Sequence, residues 1–349
     1  MKIGAVTLES PVALAPMAGM TDTAFRRLVK RKGGCGLVVT EMVSSEGLVR
    51  GIDRTLEYAE YTEEERPVSI QIFGGDPAVM ADAAQIVEGM GADIVDINMG
   101  CPVPKIAKHS AGCSLMRDPA HAAGIVRAMA KAVRIPVTVK MRAGWNEREV
   151  NAPDLAKRVE DAGAAAVAVH GRTAAQAYRG ESDWSLISQV AESVSIPVFG
   201  SGDCVEPEHV LQRLRETAVS GVLVGRGALR NPWIFSQAAA LAAGAPSIDD
   251  VPFEERGRFL LEYIDLLLRE RVGEAEGFRH VAPGQSTAPV PARGRERWVI
   301  NKLRALGSWY TKGLEGGSQL RVAINSTETI DDLRMLIRGF FGIGVEAVA

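Results

Sequence analysis

Short apolar runs recur along the first two thirds of the chain, and each is followed by a turn and an amphipathic stretch. Eight runs are rich in the aliphatic residues that favour strands. They begin at Pro11, Gly36, Val68, Asp93, Pro136, Ala166, Pro197 and Gly221. Strands that alternate with helical patterns are typical of α/β folds, and eight consecutive units predict a (β/α)8 TIM barrel. A doubly wound sheet is the alternative, but it rarely needs eight consecutive units.

Two of the intervening helices carry start signals. Asp76 precedes Pro77, and Asp118 precedes Pro119. An aspartate caps the first amide groups of a helix, and proline is tolerated in the first turn. We therefore predict helices that begin directly after these two aspartates.

The pattern changes after residue 245. Three later segments, which begin at Phe253, Glu296 and Thr327, have apolar residues at helical spacing and no comparable strand between them. Residues 277–294 are rich in Pro and Gly and are predicted to form a flexible loop. We therefore divide the chain into a barrel domain, residues 1–245, and a small all-helical domain, residues 246–349.

Composition and charge narrow the class of protein only slightly. The 349 residues are 46% hydrophobic and 24% charged, as in ordinary globular proteins. No apolar run approaches the ~20 residues of a membrane span and no secretion signal is apparent, so we expect a cytoplasmic protein without membrane contact.

The four cysteines lack disulfide or metal-type spacing, which predicts reduced thiols and no metal site. The net charge of -3 means that any nucleic-acid contact must come from a local cluster.

Polar residues end four of the predicted strands. Alternation along each strand places Gln71, Asn98, Lys140 and His170 at the carboxyl ends, where barrel enzymes carry their catalytic groups. Each of them alone is as easily an ordinary structural residue. A lysine in an apolar barrel calls for an anion, because burying an unpaired ammonium is costly or lowers its pKa. Together the four residues predict one site at the mouth of the barrel.

Glycine-rich segments follow the last two predicted strands. GSGDC begins at Gly200 and GRGAL begins at Gly225. Loops at these two positions of a barrel commonly bind phosphate through backbone amides, and Arg226 can neutralise its charge. Flavin mononucleotide (FMN) would place its phosphate there and the N1/C2 edge of its ring near Lys140, a cation that stabilises the reduced form.

Motifs spread along nearly the whole chain carry a resemblance. The most specific are NMGCP from Asn98 and VKMR from Val139, and the others are APMAGMTDTAFRRL, TEMVSS, IQIFGGDP, GCSLMRDP, VHGRT, GSGDC and GRGALRNPWIF. Together they resemble the tRNA-dihydrouridine synthases, in particular the bacterial B-type branch. The resemblance implies reduction of the C5=C6 bond of specific uridines in tRNA to 5,6-dihydrouridine, with FMN as cofactor and NADPH as reductant.

The resemblance also implies roles for individual residues. Cys101 is expected to give a proton to C5 after flavin N5 has given a hydride to C6, because an ordinary thiol stays protonated at neutral pH. Asn98 is expected to hold the uracil, and Arg142 the base or the adjacent tRNA. The expected flavin contacts are Pro16, Met17, Ala18, Gln71, Lys140, His170, Ser201, Gly202, Asp203, Gly225 and Arg226.

A basic segment in the helical domain is the predicted tRNA contact. Residues 293–312 contain six basic residues, Arg293 among them, and one acidic residue, Glu296. Arg297, Asn301 and Arg304 have the spacing of one helix face. We expect Arg297, Lys302 and Arg304 to bind tRNA. The alternative is a solvated helix face with Trp298 and Trp309 in the core.

Two other functions stay open at this point. One is an FMN barrel that acts on a free pyrimidine, although it would have little use for a helical domain. The other is a non-catalytic RNA-binding barrel, although it would have no need of Cys101 and Lys140. Ser201, Ala24 and Arg230 depart from the residues usual in the family, so the sequence leaves open which uridine is reduced. We expect a monomer that does not bind DNA.

Overall fold

The eight predicted strands form one closed parallel barrel. The computed structural model describes residues 1–107, 110–286, 288 and 294–344. The barrel strands are β1 Val12–Leu14, β2 Leu37–Val39, β3 Val68–Phe73, β4 Ile94–Met99, β5 Val137–Arg142, β6 Ala166–His170, β7 Val198–Ser201 and β8 Gly221–Val224. Each strand pairs in parallel with the next, and β8 pairs with β1, so the sheet closes on itself. The TIM-barrel prediction is confirmed.

Helices cover the outside of the barrel. They are α1 Thr23–Lys32, α2 Ser45–Val49, α3 Pro77–Gly89, α4 Pro119–Ala132, α5 Ala152–Asp161, α6 Trp184–Ser193, α7 Pro207–Glu216 and α8 Ile234–Ala242. The two predicted helix starts are confirmed. Asp76 accepts a hydrogen bond from the amide of Ala78 at 2.8 Å, and Asp118 accepts one from the amide of His121 at 3.0 Å.

Short elements fill the connections between these helices and strands. Three of them are helices, and they are Asp53–Ala59, Pro104–Ala107 and Arg226–Arg230. Short 3-10 helices lie at Glu63–Glu65 and Gly112–Arg117. The short strands are Lys2–Ile3, Val6–Thr7, Val43–Ser44, Tyr61–Thr62 and Arg279–His280.

The interior of the barrel changes from apolar to polar along its axis. Ala13, Leu37, Ile94 and Phe199 pack with Ile3 of the N-terminal hairpin into one apolar cluster. Inward-facing polar side chains lie next to this cluster, and they are Ser69, Asp96, Thr138 and Lys140. The apolar cluster therefore closes one end of the barrel and leaves the polar groups for the other.

Four helices follow the barrel. They are α9 Phe253–Leu268, α10 Arg295–Tyr310, α11 Gly317–Ser326 and α12 Ile330–Phe341. Phe25 of α1 meets Phe259 and Tyr263 of α9 edge to face, with ring centroids 6.2 and 6.3 Å apart. Buried aromatic pairs of this kind hold the helices against the barrel. The domain boundary at residue 245 stays a prediction.

The segment between α9 and α10, predicted to be a flexible loop, makes specific contacts with the barrel within residues 277–286, and its flexibility stays a prediction. Arg279–His280 pairs antiparallel with Tyr61–Thr62, and the ring of His280 stacks on that of Tyr61 with centroids 4.5 Å apart. Glu60, which is buried, binds Arg271, Arg279 and Gln285. Local composition could not reveal these contacts, because they join distant parts of the chain. Residues 287 and 289–293 of the predicted loop lie outside the described residues.

No helix in the described part of the chain combines the length and the apolar character that crossing a bilayer requires.

A buried ion pair between Arg26 and Glu65 gives a test of the barrel's stability. Both side chains are at most 2% exposed, and Arg26 Nε lies 2.5 Å from Glu65 Oε2. Removal of one partner leaves an uncompensated charge, so we expect Glu65→Gln to lower the free energy of unfolding by about 3 kcal/mol in urea titrations. The control is Glu46→Gln, whose pair with Arg50 is exposed, and it should cost less than about 1 kcal/mol. Equal effects of the two changes would contradict this account.

Candidate functional site

The carboxyl ends of the barrel strands bring most of the predicted site residues together. The strand register places Asn98 beside Lys140, and His170 beside both Arg142 and Ser201. One cavity, here called the mouth cavity, is lined by Pro16, Met17, Lys140, His170, Ser201, Gly202, Asp203, Gly225 and Arg226. Of the predicted flavin contacts, Ala18 lines a neighbouring groove and Gln71 is buried below the mouth.

A chain of hydrogen bonds joins the ends of β3, β4 and β5. Asn98 Nδ2 donates to Gln71 Oε1 at 2.7 Å, and Gln71 Nε2 donates to Asp96 Oδ2 at 2.7 Å. Thr138 Oγ1 donates to Asp96 Oδ1 at 2.6 Å. All four side chains are buried, so the chain fixes how both amides are oriented. Gln71 positions Asn98 in this structure, and its contact with a flavin stays a prediction.

Lys140 is the unusual cation of the mouth. Its ammonium forms no hydrogen bond or ion pair with any residue in the described ranges, and the side chain lines the mouth cavity. The pKa of Lys140 is lowered to about 8, chiefly by burial and also by nearby Arg142, while Asp96 opposes the shift. A largely enclosed ammonium of this kind is best satisfied by a bound anion.

His170 shares the mouth with several cations. The pKa of His170 is lowered to about 2, chiefly by burial and also by the charges of Lys140, Arg142, Arg172 and Arg226. The imidazole is therefore neutral at physiological pH and can donate one hydrogen bond and accept another. The surrounding positive charges make the mouth attractive to an anionic ligand.

The loop after β7 is shaped by Asp203 and Gly202. Asp203 has a φ of 57°, and its carboxylate accepts from Arg172 and from the amide of Ser182, both at 2.8 Å, and from Arg226 at 3.3 Å. Gly202 has a φ of 132°, and a Cβ there would come within 2.2 Å of Ser182 Oγ. Only glycine allows this close approach. None of the hydrogen bonds among the described residues uses the amides of Gly202, Asp203 or Gly225, so a ligand can bind them.

The turn after β4 holds Cys101 in place. Asn98 Oδ1 accepts from the amides of Gly100 at 3.1 Å and Cys101 at 2.9 Å. The carbonyl of Cys101 accepts from the amide of Cys113 at 3.1 Å. Burial raises the pKa of the partly exposed Cys101 thiol, while Arg142 acts against the shift. The thiol is therefore protonated at neutral pH, as a proton donor must be.

Asn98 and Arg142 are both held by other protein atoms. The second contact of Asn98 Nδ2 is Met42 Sδ at 3.7 Å, a weak interaction that a uracil could replace. Arg142 is 4% exposed and donates to the carbonyls of Gly100 at 2.7 Å, Thr173 at 3.0 Å and Ala177 at 2.9 Å. It thereby clamps the Cys101 turn to the loop after β6. The uracil or tRNA contacts of Asn98 and Arg142 stay predictions.

The predicted tRNA-binding residues lie on two faces of α10. Arg297 is exposed, and Arg304 donates to the carbonyl of Thr327 at 2.8 Å. Lys302 points towards the barrel, where its ammonium lies 3.0 Å from Asp22 Oδ2 and 3.5 Å from Glu41 Oε1. Their contacts with tRNA stay predictions.

Trp298 and Arg293 belong to the same basic segment. Trp298 does not lie in the core, as the alternative of a solvated helix face assumed, because it is 37% exposed. Arg293, one of the six basic residues, lies outside the described residues.

Sequence reasoning missed three residues that build the mouth. Two of them could have been predicted, because Asp96 lies on the predicted inward face of β4 and Arg172 lies in the VHGRT motif. No sequence feature indicated Tyr178. Its ring centroid lies 4.9 Å from the guanidinium of Arg226 and 5.9 Å from that of Arg142, at the rim of the cavity.

A parallel barrel with a cationic mouth cavity beside a protonated thiol defines a TIM-barrel enzyme. The sequence profile described as Dihydrouridine synthase (Dus) matches residues 13–288, and the chain belongs to this family. The tRNA-dihydrouridine synthase B of Pseudomonas aeruginosa is 39% identical over 307 residues, which are 87% of this chain and 92% of the relative. The protein of the same name from Xanthomonas campestris is 38% identical over 346 residues, 98% of this chain and 96% of the relative. The family predicted from the motifs is confirmed.

Solved structures support the fold. Histamine dehydrogenase from Rhizobium sp. 4-9 has a TM-score of 0.54 at 13% identity, over 76% of this chain and 50% of that one. A morphinone reductase mutant in complex with tetrahydroNAD has a TM-score of 0.50 at 12% identity, over 71% of this chain and 91% of that one. At such low identity these similarities concern the barrel fold alone.

The raised pKa of Cys101 can be tested by alkylation with iodoacetamide and mass spectrometry of the modified peptides. Well below its pKa a thiol gains thiolate about tenfold per pH unit, so we expect alkylation of Cys101 to accelerate about tenfold from pH 7.5 to 8.5. Cys35, Cys113 and Cys204 are buried and serve as internal controls that should stay unmodified. A rate that reaches its plateau below pH 8 would instead indicate an activated nucleophile.

Proposed function

We propose that the protein reduces the C5=C6 bond of specific uridines in tRNA to 5,6-dihydrouridine, with FMN as the bound cofactor and NADPH as the reductant. The observation that carries this proposal is the strand register that places Asn98, whose side chain holds the Cys101 turn, beside Lys140, whose ammonium has no partner among the described residues. Membership of the dihydrouridine synthase family supports the class of reaction. The names of the relatives support tRNA as the substrate.

The mouth cavity suits FMN in both its charged and its apolar parts. The free amides of Gly202, Asp203 and Gly225, together with Arg226, suit a phosphate group. Pro16 and Met17 offer an apolar surface for a planar ring. When bound, FMN supplies the hydride that is added to C6 of the uracil. Ala18 and Gln71 are also proposed flavin contacts.

Lys140 and His170 bind the edge of the flavin ring or its ribityl chain in this proposal. The Lys140 charge can stabilise negative charge on the bound cofactor. It is available for this role because no protein carboxylate forms an ion pair with it among the described residues. The neutral His170 ring can donate a hydrogen bond without adding a further positive charge. Ser201, at the end of β7, supplies a hydroxyl to the same cavity.

Cys101 supplies the proton in this proposal. The S–H bond breaks, a C–H bond forms at C5, and a thiolate is left behind. The positive charge of Arg142 stabilises this thiolate, in keeping with its effect on the pKa of Cys101. Because Cys101 is partly exposed, water can return the proton before the next turnover. Asn98 is proposed to hold the uracil in line with this turn.

The helical domain is the proposed tRNA-binding element. A uridine in folded tRNA has to leave its stack to reach the mouth, at a cost of a few kcal/mol that contacts elsewhere must offset. Arg297 is exposed on α10 and is suited to a phosphate contact that weakens with added salt. Lys302 and Arg304 are proposed contacts as well. Both already have protein partners, so they also orient α10.

Replacement of Cys101 by alanine tests the proposed reaction. Wild-type protein loaded with FMN should convert unmodified tRNA to dihydrouridine-containing tRNA with NADPH. Loss of the general acid should slow this conversion by roughly 10²- to 10⁴-fold, while NADPH still reduces the flavin. Dihydrouridine is quantified by mass spectrometry of digested tRNA, and flavin reduction by absorbance.

Cys35→Ala is the matched control, because Cys35 is buried away from the mouth cavity. It should leave both rates near those of the wild type. A protein that takes up no FMN, or that forms no dihydrouridine with any tRNA, would contradict the proposed function. Activity of Cys101→Ala within about threefold of wild type would contradict the role of the thiol alone.

A further inference from the structure

A groove between the barrel and α10 runs outwards from the mouth. Its inner end is formed by Ala18 and Met42, and Met42 touches Asn98. The short helix Asp53–Ala59 forms one wall and α10 forms the other. Nucleotides next to a uridine that occupies the mouth therefore have this interdomain groove as a path out of the protein.

Trp298 lines the groove and does not belong to the buried face of its own helix, α10. The buried residues of α10 are Val299, Ile300, Leu303, Leu306, Gly307 and Tyr310. Trp298 lies off that face, with Arg295 and Lys302 at helical spacing on either side. The centroid of its ring is 4.1 Å from the Arg295 guanidinium and 5.4 Å from the Lys302 ammonium. These cations hold in place an aromatic surface that stays 37% exposed.

The charges of the groove do not suit a phosphate group. Lys302 is paired with Asp22 and Glu41, and Arg295 is paired with Glu270. These cations on the α10 side are therefore already neutralised.

The opposite wall carries two acidic side chains. Asp53 and Glu57 are exposed there and form no ion pair with a described side chain. Tyr58, which is 38% exposed, lies beside them. Exposed carboxylates repel phosphate but accept hydrogen bonds from amino groups.

We propose that the interdomain groove holds one purine base that neighbours the target uridine in the RNA strand, stacked on Trp298 with its amino group towards Asp53 or Glu57. Proteins bind unstacked RNA bases on aromatic side chains of this kind. A purine offers the larger stacking surface and an amino group, whereas the N–H of uracil lies between two carbonyl groups that carboxylates would repel. The inference rests on the proposed function, and it adds the chemical class of a second subsite.

The first test is Trp298→Ala, with the dissociation constant of unmodified tRNA measured by filter binding on FMN-loaded protein. Loss of one base stack should raise this constant by about 5- to 100-fold. Trp298→Phe keeps an aromatic ring and should recover most of the lost affinity. Met335→Ala truncates a side chain of α12 that is 63% exposed, and this matched control should bind tRNA like wild type.

The second test removes the two carboxylates with the double change Asp53→Ala and Glu57→Ala. If only long-range electrostatics acted, the loss of two negative charges would tighten the binding of a polyanion. The proposed subsite predicts the opposite, a dissociation constant at least about twofold higher. A tRNA transcript with uridine in place of the neighbouring purine should lose this response.

The outcomes separate the inference from the proposed function. If wild-type protein forms no dihydrouridine, the proposed function fails and the subsite fails with it. If wild type forms dihydrouridine but Trp298→Ala binds tRNA equally well, the subsite is wrong and the proposed function stands. Tighter or unchanged tRNA binding by the double variant would likewise overturn the subsite.

Discussion

The Lys140 ammonium, which has no hydrogen-bond or ion-pair partner among the described residues, is the constraint on which the site depends. The strand register places Lys140 between Asn98 of β4 and Ala168 of β6, so it cannot turn away from the mouth. The neighbouring guanidinium groups of Arg142 and Arg172 are fastened to backbone carbonyls. The charge of Lys140 is therefore available to a ligand. Its lowered pKa reflects burial with too little compensating negative charge nearby.

The proton donor and the scaffold around it form one connected network. Asp96 orients Gln71, and Gln71 orients Asn98. Asn98 in turn accepts a hydrogen bond from the amide of Cys101. Arg142 ties the same turn to the loop after β6 through the carbonyl of Gly100. The thiol is thus directed by buried polar groups with little freedom to rearrange, which suits a reaction in which the proton must reach one carbon atom.

Local sequence patterns predicted the barrel and most of the mouth. Every barrel strand lies within a predicted apolar run, and strand alternation alone grouped Lys140 with the other strand-end residues. The same reasoning failed where contacts join distant segments. Examples are the pairing of Arg279 with Thr62 and the bridge from Lys302 to Asp22.

Such contacts depend on how the helices and the barrel come together, and no periodicity within one segment encodes this. The helix face chosen from spacing shows the limit most clearly. Arg297 and Arg304 share that face, but Arg295, Trp298 and Lys302 are the residues of α10 that line the groove. Charge counts drew attention to α10 without showing which of its faces meets the groove, and its contact with tRNA stays a prediction.

The affinity of the protein for FMN as a function of pH tests the central role of Lys140 most directly. The pKa of Lys140 is about 8 in the absence of a ligand, so its charge is present below that pH and is lost above it. The dissociation constant of FMN should therefore rise roughly tenfold or more between pH 7.5 and 9.5 for wild type. Lys140→Met should bind FMN more weakly at pH 7.5 and show only the residual pH dependence of the ligand itself. Equal affinities and parallel pH profiles for the two proteins would contradict the account.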